Sequence, residues 1–134
     1  MTRSADTLPL FPTERRAPAH TCHAHGCDTP VPPAMFMCRK HWYSLRAPMR
    51  DAIWREYRRG QEVDKRPSAR YLAVQQRAVG EVAFKPNDEQ AALDAAPYLI
   101  NSERWRARAI AAGDGDPLAG LAPPCVLTYF PESQ

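Results

Sequence analysis

Between Pro48 and Gly60 the apolar side chains Met49, Ile53 and Tyr57 recur every four residues, with Arg55, Arg58 and Arg59 on the opposite side. At roughly 100° per residue, that spacing predicts a helix from Pro48 to Arg59 with one apolar stripe and one cationic stripe. Pro48 suits its first turn and Gly60 its end. Ser68 can cap another helix running to about Phe84, with Leu72, Val79 and Ala83 inward and Arg70, Arg77 and Glu81 outward. Asn87 with Gln90 makes a capping-box-like start after Pro86, and Pro97 opens a further helical stretch carrying Leu99, Trp105 and Ile110 before Gly113. Trp42 and Trp54 are expected in the core, because large aromatics dominate small cores, with stacking on a base as the alternative.

Helical periodicity fails upstream of residue 38, where prolines and cysteines take over. Pro30, Pro32 and Pro33 suit a turn between two short strands, with Met35 to Met37 as the returning strand. Cys22, Cys27, Cys38 and His41 form the pattern C-x4-C-x10-C-x2-H, the spacing of a tetrahedral zinc site. Cys38 and His41 stand three apart, about one helical turn, so both can face one ion. Four protein donors close the coordination sphere, which argues for a structural metal over a catalytic one. His20, His23 and His25 crowd the same stretch and stand as alternatives for one donor. The four cysteines would equally allow three disulfide pairings in an oxidising compartment. The opening Met-Thr-Arg-Ser-Ala-Asp-Thr lacks the apolar core of a signal peptide, so a reducing cytoplasm is the expected setting.

The expected fold class is therefore α+β, mainly α: a zinc knuckle with a short hairpin followed by a helical bundle. Residues 1–19, with Pro9, Pro12 and Pro18, read as a flexible tail, residues 20–112 as knuckle plus helical domain, and residues 113–134 as a Pro-rich segment. In that last segment Cys125 to Phe130 could make a short strand, and Cys125 has no second donor nearby. Gly113 to Asp116 looks like part of a calcium loop but lacks its other ligands, so a turn is expected. A chain of 134 residues can bury one modest core, and no apolar run is long enough to span a bilayer.

Knuckle, hairpin and helix in that order resemble the treble-clef zinc folds. More narrowly, Met37-Cys38-Arg39-Lys40-His41-Trp42 followed by a Trp-containing helix resembles a group of small zinc proteins of phages and prophages, over about residues 20–84. The resemblance implies a metal module and a mobile-element origin, and no mechanism.

Charge changes the picture next. Residues 39–70 hold ten Lys or Arg against four acids, residues 1–38 balance at zero, and residues 71–134 carry a net −3. Fifteen of the eighteen cations are Arg, whose planar fork suits phosphate, although genome base composition would give the same bias. The basic block and zinc fold point to DNA as first partner, met by backbone contacts from Arg39, Arg50, Arg55, Arg58 and Arg59. A second partner class is a host protein. Thr7-Leu8-Pro9-Leu10-Phe11 resembles the bacterial sliding-clamp-binding peptide, Gln-Leu-x-Leu-Phe, with Leu8, Leu10 and Phe11 matching and Thr7 in place of Gln. The resemblance implies that those apolar side chains enter a pocket on the clamp. No usable acid, base or nucleophile set emerges: the His-Asn-His nuclease pattern is missing, and His41 and Cys38 are claimed by the metal. The chain reads as a binding protein and not an enzyme.

Overall fold

The computed structural model describes residues 20–57 and 67–121. It is mainly helical, and the helices lie downstream of a short irregular segment that carries the cysteines. Leu8, Leu10, Phe11, Arg58, Arg59 and Cys125 lie outside the described residues.

The first segment is not a hairpin. Among the described residues the β-structure is a single antiparallel bridge, Thr21 to Pro30, flanked by bonds from Cys22 N–H to Thr29 O (2.9 Å) and Val31 N–H to His20 O (3.0 Å). Pro30, Pro32 and Pro33 have no N–H, so the ladder has nothing to continue with. Met35 to Met37 do not return as a strand. They follow a turn closed by Met35 N–H on Pro32 O (2.9 Å), and Phe36 O receives His23 N–H (3.2 Å). That arrangement buries Phe36 and Met37.

Helix α1 (Arg39–Trp42) is one turn long, with Cys38 in extended geometry at its start. Helix α2 (Ala47–Glu56) carries Pro48 in its first turn, as the sequence suggests. It stops before Arg59, because Tyr57 is already extended (ψ 128°) and packs its ring against Trp54 and Tyr71. Met49 and Ile53 are buried and Tyr57 half-buried, so the apolar stripe faces the core. Trp54 does not: its side chain is 57% exposed, and it meets the half-buried Trp42 edge-on, ring centroids 6.0 Å apart.

Helix α3 (Ala69–Ala83) starts where Ser68 accepts Tyr71 N–H (3.0 Å). Val79 points inward as expected, while Leu72 and Ala83 are half-buried. Arg77 and Glu81 correct the outward expectation. Arg77 is buried, donating to Glu81 one turn on (2.8 Å), and Glu81 accepts both bonds from Arg46 at the mouth of α2 (3.0 Å each). A buried charge persists only when paired, and this carboxylate between two guanidiniums supplies the pairing.

Helix α4 (Glu89–Ala111) begins at Asp88, not at an Asn87 box: Asp88 Oδ1 accepts Ala91 N–H (3.0 Å), and Asn87 takes the left-handed turn (φ 62°) that Asn tolerates. Gln90 instead reaches Asp94 (2.9 Å). Pro97 lies inside this helix and does not open a new one. It faces solvent, and the opposite face is lined by Ala92, Ala95 and Ser102, small enough to seat α4 closely on α3. Ser102 Oγ donates to Ala73 O (2.7 Å), and Gly80 leaves room for Leu99. That packing offsets the roughly 3 kcal/mol an interior proline costs.

Side-chain ties close the molecule. Arg70 grips Glu56 with two bonds (2.8 and 2.7 Å) and reaches Asp114 O (2.7 Å), and Arg106 grips Asp116 in the same two-pronged way (2.9 and 2.7 Å). Gly113, in the left-handed region (φ 84°), ends α4, residues 114–116 take no regular structure, and Leu118 behind them is buried in the core.

Candidate metal centre

Cys22 sits on the bridge strand next to Thr21, and Cys27 follows a tight turn. Cys27 N–H bonds Ala24 O (3.0 Å), with Gly26 in the left-handed region (φ 75°). Few side chains adopt that φ without strain, so the glycine lets the chain fold back within the four-residue gap. Cys38 ends the irregular stretch and His41 comes one turn later, brought round by Trp42 N–H on Cys38 O (2.9 Å).

The four donor atoms lie within 4.8 Å of one another. His41 Nδ1 stands 3.3 Å from Cys38 Sγ and 3.6 Å from Cys22 Sγ. Zn–S bonds of about 2.3 Å and Zn–N bonds of about 2.0 Å give a tetrahedron with edges of roughly 3.5–3.8 Å. The donors fit one such ion through Nδ1 of His41. Cys22, Cys27, Cys38 and His41 therefore form a metal-binding site compatible with zinc.

Protonation supports the same use of these groups. Burial pushes the Cys22 thiol above its ordinary value. The Thr29 hydroxyl, 3.3 Å from Cys27 Sγ, pulls the Cys27 thiol below its own. A coordinated thiol is deprotonated outright, so a cation in the cluster removes the cost of a thiolate at the buried Cys22. Cys22 Sγ also accepts Ala24 N–H (3.4 Å), a bond that orients it.

The three other histidines have different surroundings. His23 Nδ1 bonds Phe36 O (2.8 Å) and its ring stacks on Phe36 at 5.0 Å, and burial lowers its pKa. His20 lies beside it, ring centroids 5.1 Å apart, with Nδ1 buried and unbonded among the described residues. His25 Nδ1 meets Tyr98 Oη (2.9 Å) on α4, and its Nε2 lies 3.8 Å from Asp94. His25 and His41 thus border an open polar cleft of about 250 Å³, with Lys85, Asp88 and Asp94 on its far wall.

Comparisons with known protein families, with curated proteins and with solved structures return no match to this chain.

Of the arginines singled out for phosphate, Arg39 is exposed at the start of α1, beside Lys40. Arg50 lies over the Tyr43 ring (5.5 Å) and donates to Leu45 O. Arg55 is half-exposed but engaged, bonding Glu56 (2.9 Å) and Pro117 O (3.0 Å). Among the described residues the structure does not gather these side chains with the metal donors into one site; Arg39 and Lys40 follow the ligand Cys38 directly. Sequence reading placed Trp54 in the core and did not single out Tyr43, yet both rings are exposed. No described helix is long and apolar enough to cross a membrane.

Proposed function

We propose that the chain is a zinc-stabilised, non-enzymatic nucleic-acid-binding module that meets its partner mainly through the phosphate backbone. Arg39 and Lys40 carry the reading. They are exposed, they follow the metal ligand Cys38 directly, and neither has an acidic partner among the described residues. Arg46, Arg55, Arg70, Arg77 and Arg106, by contrast, are engaged in ion pairs within the fold. A metal held by Cys38 and His41 would fix the direction of the one-turn helix between them and so present the two cations to a polyanion. The closed Cys3His donor set leaves no coordination position for a reacting water, which supports a structural ion.

The test is a titration of labelled duplex and single-stranded DNA with the zinc-loaded full chain at several salt concentrations. Affinity should fall steeply with salt, and Arg39→Ala with Lys40→Ala should flatten the log–log slope by about 1.4–1.8, two phosphate contacts' worth. No binding at about 50 mM salt, or an unchanged slope in the double variant, would sink the reading.

A further inference from the structure

We propose that the strand bound is single-stranded, with Tyr43 and Trp54 stacking on its bases and Arg39 and Arg50 holding its phosphates, an inference that rests on the nucleic-acid reading above. Tyr43 is 65% exposed and Trp54 57%, the two most exposed aromatic rings among the described residues. They lie on one continuous surface. Tyr43 stands one turn above Arg39, its N–H bonded to Arg39 O (3.1 Å). Its ring lies under the Arg50 guanidinium (5.5 Å). Arg50 and Trp54 are four apart on α2 and therefore share its face. The order across the surface is cation, ring, cation, ring.

This alternation matches what a single strand offers, since phosphates attract guanidinium and unpaired bases expose π-faces that any aromatic can cover. A duplex hides those faces inside its stack, and α1, at four residues, is too short to serve as a groove-reading helix. Beside Trp54 a shallow apolar groove runs past Trp42 to the exposed Met35, so a base laid on the indole would also cover carbon surface. Charge complementarity selects the polyanion over an apolar peptide. Asp51, exposed on the next position of α2, marks the edge of the stripe.

The experiment uses the zinc-loaded full chain with a labelled oligothymidylate of about 20 nucleotides and a duplex of the same length, read by anisotropy and by tryptophan fluorescence. The single strand should bind more tightly and quench the tryptophan signal. Trp54→Ala should weaken it roughly 5- to 150-fold with the salt slope unchanged, because stacking releases no counterions, while Trp54→Phe keeps most of the affinity. Tyr43→Ala gives the same readout should Trp54→Ala fail to retain zinc. A duplex bound as tightly as the single strand overturns the inference. So does a zinc-loaded Trp54→Ala that binds within twofold of the parent, and in both cases the nucleic-acid reading survives. Absence of binding to either probe brings down both.

Discussion

Residues 20–45 hold their shape with one β-bridge, one helical turn and four donors converging on a point, while α3 and α4 run side by side along a seam of small side chains. In the second region, Ala73 and Gly80 of α3 meet Ala95, Leu99 and Ser102 of α4, and no one contact decides the outcome. The two regions are nonetheless joined. Cys22, Phe36 and Met37 share one core with Tyr71, Val74 and Ala78 of α3, so the metal layer caps the helical pair.

Removing the ion breaks the comparison most sharply. Structural zinc sites contribute on the order of 10–16 kcal/mol, so Cys22→Ser, or chelation, should unfold residues 20–45 and leave helical circular dichroism from α3 and α4 largely in place. Paired measurements of zinc content and far-UV dichroism check this. Fully native tryptophan fluorescence in metal-free protein would count against it.

Gly80→Ala probes the other region. An added Cβ would lie 2.7 Å from Leu99 Cδ2 and 2.8 Å from its Cγ. Overpacking of that kind costs about 1–3 kcal/mol against about 1 kcal/mol gained in helix propensity, so a net loss of up to about 2 kcal/mol is expected. Thermal melting should show it, with zinc affinity unchanged. A stabilised variant would mean the α3–α4 seam is looser than its geometry.

Acid should separate the regions by a smaller margin. The Arg70 fork, with Arg55 beside it, holds the Glu56 carboxyl below its ordinary value of 4.5. The folded state is thus favoured above that value, and the contribution is lost as pH falls through the lower folded pKa. Zinc leaves earlier, because thiolates and imidazole must take up protons. Glu56→Gln should therefore reduce the pH dependence of melting below about 4.5, leaving the part that Asp116 contributes through Arg106, and leave the pH of zinc release unmoved. A shift in zinc release would show that the α2–α3 link supports the metal layer.

How much of this was legible in the sequence follows from how local each feature is. The Cys3His set was legible because its spacing is local, and the Ser68 cap for the same reason. Arg77 was misjudged because its partner carboxylate is shared with Arg46 from a different helix, which no periodicity records. Pro97 was read as a start because the seam that overrides it lies on a neighbouring helix. The hairpin failed for a reason already present in the residues: three prolines within four positions starve a ladder of donors. The exposure of Trp54 needed the tertiary structure, since an aromatic on an amphipathic helix can serve either face.

Those prolines have a consequence beyond the missing strand. An open edge of extended backbone invites neighbouring molecules to add strands to it, the usual route to fibrous aggregates. Here the segment after Thr29 offers Pro30, Pro32 and Pro33, leaving an incoming chain few amide hydrogens to dock on. If the ion is lost in a cell, the freed segment is thereby guarded against amyloid-like self-pairing.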